Sequence, residues 1–276
     1  MKRRLPLAGV AGALILVLAV VAALAAHRLA PYDPLAQSLV ARLKPPGAQA
    51  PAGSFHWLGT DGLGRDVLSR LIYGARVSLA VAALAVVVSG TLGVIVGVLA
   101  GYYRGWLAIV LMRLVDIMMA VPFLLLAIAV VAVLGPSFLH TVLVLGLTRW
   151  PRYARVAYGQ TLSARRREFV EASRALGSDD LRLMLRHVLP EVLPSAVVVA
   201  TLEVGLMIVF EAALSFLGLG VQPPTPSWGD MLASGRDYLA TAWWLATFPG
   251  LAIMVTVLGA NLVGDAVRDR LDPHVK

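Results

Sequence analysis

Long uncharged stretches set the pattern of this chain: Leu5 to Ala26, Val77 to Tyr103, Ile117 to Thr148 and Tyr238 to Gly264. Each matches or exceeds the roughly 20 residues that cross a hydrocarbon core about 30 Å thick. The run from Ile117 to Thr148 is too long for one crossing. Gly135-Pro136-Ser137 interrupts it, so the pattern predicts two helices joined by a tight turn. A further stretch, Ser195 to Leu217, carries only Glu203 and Glu211 as charges, which brings the expected count to six spans. The chain therefore reads as an all-α polytopic membrane protein.

The polar segments between these runs have their own periodicity. Around Glu168 to Leu176, apolar Phe169, Ala172 and Leu176 share one helical face, while Arg166, Glu168, Glu171 and Arg174 occupy the rest. Gly177 supplies a left-handed stop, and Ser178, Asp179 and Asp180 suit the start of a second helix, expected to end at Pro190. A proline-rich loop follows the first span and tightens into His56-Trp57-Leu58-Gly59-Thr60-Asp61-Gly62-Leu63-Gly64-Arg65-Asp66. A helix from Val67 to about Gly74 is expected next, lying on the membrane surface or on its own bundle through Leu68, Leu71, Ile72 and Ala75. A second loop, from Gly218 to about Asp237, holds Pro223, Pro224, Pro226 and an interfacial Trp228.

Composition agrees with a lipid environment. Of 276 residues, 59% are hydrophobic and 14% charged, and there is no cysteine, which excludes disulfides and thiolate chemistry. The net charge of +8 does not indicate nucleic acid, because no basic cluster has interleaved aromatics. It is distributed by side. With an inside N-terminus, Lys2, Arg3, Arg4, Arg104, Arg113, Arg152, Arg155, Arg165 to Arg167, Arg174, Arg182, Arg186, Arg268, Arg270 and Lys276 all fall inside, and only Arg28, Arg42, Lys44, Arg65, Arg70, Arg76 and Arg236 clearly outside. By the positive-inside rule both termini and the amphipathic segment face the cytoplasm. The first span is read as a retained anchor rather than a cleaved signal, its apolar stretch being too long for a signal core.

Little catalytic chemistry is available. The lysines, Lys2, Lys44 and Lys276, lack the glycine-rich turn and following Ser or Thr of a P-loop, so a Walker-type ATPase is excluded. Asp61 and Asp66 lack the alternating acids of a calcium loop. Gly135-Pro136-Ser137 with His140 is a fragment of an intramembrane serine protease, but that histidine lies only three positions on and not on another helix. Arg113 and Asp116 are spaced for an ion pair at the membrane edge. Glu203 and Glu211 must face protein or water, since a carboxylate in lipid costs a few kcal/mol. They read either as lining a translocation path or contacting a second subunit, or as polar packing partners of neighbouring helices. Buried acids with glycine and proline breaks also suit an ion-coupled secondary transporter, although no inverted repeat is detectable.

Glu171-Ala172-Ser173, three further residues, Gly177, and then Leu189-Pro190 resemble the EAA signature in the permease subunits of bacterial ABC importers. Ser173 stands for the usual second alanine and His187 for a common aliphatic residue. The segments L-G-T-D-G-L-G-R-D-V-L-S-R-L-I-Y-G-A-R-V-S-L and Phe216 to Leu232 resemble the dipeptide, oligopeptide and nickel branch. The resemblance implies a type I ABC importer permease fold, with an N-terminal tail and span (1–30), an outer loop (31–76), a five-helix core (77–266) containing a coupling segment (160–191), and a cytoplasmic tail (267–276). It implies a multi-pass protein of the bacterial inner membrane, paired with a homologous second permease, two cytoplasmic ABC ATPases and an extracytoplasmic solute-binding protein. No cofactor is expected on this chain, ATP and Mg being held by the ATPases. Glu168, Phe169, Glu171, Ala172, Ser173, Arg174, Gly177, Leu189 and Pro190 would dock the ATPase. Trp57, Asp61, Arg65, Asp66 and Trp228 would face the binding protein. The solute implied is a peptide, with a nickel or metal chelate and glutathione-like or opine-like molecules as alternatives.

Overall fold

The structure is a computed structural model that describes residues 7–49, 53 and 55–271. Long helices dominate it: α1 (Leu7–Leu24), α3 (Val67–Tyr103), α4 (Gly105–Ala120), α5 (Phe123–Leu134), α6 (Phe138–Ala164), α9 (Leu189–Phe216) and α11 (Trp244–Leu271). Short helices α2 (Ala26–Leu29), α7 (Glu168–Ala175), α8 (Asp180–Leu183) and α10 (Trp228–Arg236) lie at the ends. A two-stranded antiparallel sheet pairs β1 (Ala48–Gln49) with β2 (Phe55–His56). Four helices, α1, α3, the continuous rod from Asp180 to Phe216, and α11, are long and apolar enough to cross a membrane. Their outward faces carry large exposed side chains such as Leu14, Leu18, Val87, Met254 and Leu258, which only lipid or a partner can cover.

The expected pair of crossings between Ile117 and Thr148 takes a different form. The 12-residue α5 reaches about 18 Å at 1.5 Å per residue, too short for the hydrocarbon core. It continues α4 across an 89° bend, so the two together make the fifth membrane element. Pro122 causes the break: the residue before a proline is pushed out of the helical region, and Val121 has ψ 123°. The Gly135-Pro136-Ser137 turn then separates α5 from α6, where Ser137 Oγ accepts the His140 N–H and the imidazole Nδ1 bonds the Gly135 carbonyl oxygen. This serine is a helix cap. The described residues thus supply four membrane-crossing helices, or five with the bent pair, rather than the expected six: α6 runs on to Ala164 and carries Arg152 and Arg155, expected on the cytoplasmic side, on the helix itself.

The expected surface helix from Val67 is the beginning of α3, which continues for 37 residues without a stop at Gly74. Trp228 packs against that glycine, whose added Cβ would meet the indole Cδ1 at 3.0 Å. Asp66 caps the helix, its Oδ2 accepting the Ser69 N–H at 2.8 Å while Oδ1 bonds His56 Nδ1 at 2.8 Å. Close approach of α3 to α6 forms the centre of the bundle. Gly93, Gly97 and Gly101 face Trp150, Ala154, Ala157 and Thr161, and Val81, Ala85 and Leu145 are fully buried beside them. Helix α9 covers this pair, α11 packs on α9, and α1 packs antiparallel on α11 with Gly12 against Leu262.

Candidate coupling and translocation sites

At the bundle end where α3 finishes, α7 carries Glu168 and Glu171 in its first turn and Arg174 in its last, the order that complements a helix dipole. Gly177 ends it with φ +86°. Its N–H donates to the Arg174 carbonyl at 3.0 Å and the Ser178 N–H to the Ser173 carbonyl at 3.2 Å, the paired bonds of a Schellman stop. Asp179 occupies the N-cap of α8 without a side-chain bond. Ser178 Oγ instead lies 3.0 Å from Ser173 Oγ.

The expected stop at Pro190 does not occur. Met184–Val188 form a π-helical turn that joins α8 to α9, leaving Pro190 in the first turn of α9. A π-turn shifts the hydrogen-bond register, which accommodates a residue with no N–H to donate. Leu189 is half-buried and Pro190 exposed.

Two contacts hold α7 to the bundle. Val170, buried, packs into a cluster with Val98, Tyr102, Leu183, Val188 and Val192. The Tyr102 hydroxyl donates to Asp180 Oδ1 at 2.6 Å and accepts from Arg174 Nη2 at 3.0 Å. Arg165 stacks over the same ring, 5.4 Å from its centre, and donates to the Tyr102 carbonyl oxygen. The apolar face expected at Phe169, Ala172 and Leu176 points the other way: Phe169 is 43% exposed and Leu176 88%. Ala172, Glu168 and Glu171 are exposed as well. Leu181 and Leu185, in the turns that follow, are also exposed. Ser173 and His187, the two departures from the EAA pattern, meet at 3.2 Å, and the imidazole tilts against Phe169.

The buried acids of α9 find their bonding partners within the chain, Glu203 fully and Glu211 through one oxygen. Glu203, fully buried, accepts a bidentate pair from Arg149, Nε to Oε2 and Nη2 to Oε1 at 3.0 Å each, and a third bond from Arg152 Nη1 at 3.0 Å. Glu211, also fully buried, accepts from Ser215 Oγ at 2.8 Å. Both carboxylates thus take the second of the two expected roles within this chain, as polar packing partners of neighbouring side chains. The groups that reach the surface beside Glu203 are Arg149 and Arg152, whose three-residue spacing on a mostly apolar helix was the available signal. Asp116 pairs with Arg155 Nη2 at 2.7 Å rather than with Arg113, because α4 and α6 pack side by side.

At the opposite end, four of the five residues expected to face a binding protein turn inward. Asp61 organises its own turn, accepting from the N–H groups of Leu63 and Arg65 and from Arg65 Nε at 2.7 Å. Asp66 is the α3 cap. Trp228 is 3% exposed and its indole N–H donates to the Leu71 carbonyl at 2.9 Å. Trp57, 63% exposed, remains on the surface. Nearby, burial raises the Asp230 pKa, a shift opposed by Arg70 and Arg65.

The sequence pattern described as the binding-protein-dependent transport system inner membrane component matches residues 93–276. The chain belongs to that family. This permease is 47% identical to the di/tripeptide transport system permease protein DppC of Pseudomonas aeruginosa, across 96% of its own length and 88% of that protein's. It is 42% identical to the glutathione transport system permease protein GsiD of Pectobacterium atrosepticum, over 97% of this chain and 87% of the relative. Its fold is that of a type I importer permease: inward-facing conformations of the MetNI methionine ABC transporter superpose with a TM-score of 0.59 over 74% of this permease and 96% of that chain, at 20% identity. It is thus a membrane permease component of an ABC importer, which sets aside the secondary-transporter and protease readings. Partner ATPase and binding-protein subunits follow from that membership.

Proposed function

We propose that this permease forms half of a translocation pathway for di- and tripeptides, paired with a homologous second permease and driven by two cytoplasmic ATPases that hold all the ATP and Mg. The greater identity to the di/tripeptide relative than to the glutathione one favours short peptides, and glutathione is itself a small peptide. No P-loop is available in the sequence, so ATP hydrolysis is assigned to the partner subunits. It resides in the bacterial inner membrane. The end carrying α7 faces the cytoplasm, because Arg165, Arg166, Arg167, Arg174, Arg182, Arg186, Arg268 and Arg270 gather there. Both described termini reach that end.

The observation that carries this reading is the outward apolar ridge of α7, Phe169, Ala172 and Leu176, on a helix fastened to the bundle by Val170 and Arg174. An ATPase cleft closing on that ridge moves α7, and the Tyr102 contacts pass the motion to α3 and α9. Trp57 remains as the surface contact for a binding protein. Copurification of the ATPases tests the assignment. Leu176→Arg should abolish it while leaving membrane insertion and the second permease in place; an intact complex transporting at the parental rate would show that α7 is not the docking helix.

A further inference from the structure

Glu203 lies midway along the 28-residue α9, about 20 Å from either end. That places it near the centre of a hydrocarbon core about 30 Å thick. Two guanidiniums serve this one carboxylate, so the cluster carries a net positive charge. Arg149 is largely covered, at 22% exposure, with its guanidinium 5.3 Å from the Phe210 ring. Arg152 is 52% exposed and uses only Nη1 on Glu203; its Nε and Nη2 have no partner among the described residues. One helical turn on, Arg155 is neutralised by Asp116.

A half-exposed cation at this depth cannot face hydrocarbon, since even insertion scales charge about 2.5–3.5 kcal/mol for arginine at a helix centre. It faces water or protein. Beside it opens a cleft of about 430 Å³, lined by Met118, Pro122, Phe123, Thr148, Arg149 and Arg152. The α4–α5 bend at Pro122 forms one wall. Its volume is in the range of small-molecule sites, and its apolar walls with convergent guanidinium donors have the composition of one. The free donors of Arg152 match a carboxylate.

Resting on the peptide reading above, we propose that Arg152, held by Glu203 and flanked by Arg149, is a mid-membrane binding site for the carboxylate of the passing solute. Glu203 has a second role here. By cancelling one of the two positive charges it keeps the site from holding an anion too long, as a passage requires binding strong enough to admit and weak enough to release. An acidic side chain of the second permease is the competing occupant.

The test uses the complete transporter in proteoliposomes with its binding protein, with radiolabelled Ala-Ala as probe. Arg152→Gln leaves Glu203 paired to Arg149, so the helices stay together. Uptake of Ala-Ala should fall about tenfold, the loss expected for one charge-assisted contact. ATP hydrolysis stimulated by the loaded binding protein should stay within about twofold, and Arg152→Lys, which keeps the charge but loses the planar fork, should restore only part of the uptake. A purely structural residue would lower hydrolysis and uptake together, and that outcome overturns the proposal. So does unchanged uptake in an assembled complex. Loss of the second permease from Arg152→Gln would assign the arginine to a subunit contact instead and also overturn it. A wild-type transporter that takes up no Ala-Ala overturns the peptide reading itself, and this proposal with it.

Discussion

Replacing Gly97 with alanine is the most direct test of the packing that holds this permease together. A Cβ built there would stand 2.5 Å from the Ala154 carbonyl oxygen, 2.6 Å from Ala157 Cβ and 2.9 Å from the Tyr158 nitrogen. Carbon atoms rest at about 3.5–4.0 Å, so each contact is about 1 Å too short. Two of the three atoms are backbone of α6 and cannot rotate aside. Helices α3 and α6 would have to separate, loosening the contacts around them. Overpacking of this kind costs about 1–3 kcal/mol. Removing a helical glycine returns roughly 0.5–1 kcal/mol. The net expectation is a destabilisation of up to about 2.5 kcal/mol, centred a little above 1.

Gly159 supplies the control, because it lies on α6 with nothing within 4 Å of an added Cβ. Gly159→Ala should show only the propensity gain and stabilise the protein. The assay is the thermal unfolding midpoint of the detergent-solubilised complex, followed by size exclusion after heating. The opposite signs of the two variants are the prediction. A Gly97→Ala protein as stable as the parent, beside a stabilised Gly159→Ala, would refute the close α3–α6 approach. Gly93→Ala should cost as much alone, since its Cβ runs into the Trp150 carbonyl oxygen and Tyr153 Cβ. Combined with Gly97→Ala it should add less than its single cost, because one separation of the helices relieves both clashes.

At Gly177, φ +86° with open space around it makes backbone conformation the sole constraint, so Gly177→Val should lose about 1–2 kcal/mol and ATPase association, while Gly177→Asn should keep both, as read by copurification. Tyr102→Phe deletes the hydroxyl between Arg174 and Asp180, leaving the docking ridge intact; ATPases should still copurify, but hydrolysis should no longer respond to the loaded binding protein. Glu171→Lys reverses an exposed charge in the first turn of α7 and should weaken ATPase binding with increasing effect at low salt, measured by pull-down across ionic strengths. A cysteine replacing exposed Thr225 should react with an impermeant thiol reagent in intact cells and one replacing exposed Asp179 should not; labelling of the latter would invert the orientation.

Apolar runs were legible because lipid accepts only continuous apolar helix, which leaves its mark on every span. Breaks were less legible. Gly135-Pro136-Ser137 announces a turn in three residues, whereas Val121-Pro122 breaks the chain with one proline inside an apolar run, and Pro190 and Pro194 sit within helix. A proline signals a missing hydrogen bond, and only the neighbours decide whether the chain bends, shifts register or continues. The same limit applied to α7. Its spacing revealed an apolar face at Phe169, Ala172 and Leu176, but Val170, on the other side, packs inward.

Charges were the least legible, since their role depends on partners distant in sequence. Asp66 and Trp228 looked like surface features of two conspicuous loops, yet they seat the first two turns of α3. At the far end of that helix Tyr102, which nothing in the sequence singled out, holds α7 through Arg174 and Asp180. The 37 residues of α3 span about 55 Å as one unbroken rod. The glycine face of α3 packs directly on α6, leaving no side-chain layer in which either helix can slide without clashing. A push on α7 therefore reaches the outer loops as movement of the α3–α6 body. The adjustable parts are those outside it, above all the α4–α5 bend at Pro122, which borders the cleft where Arg152 stands.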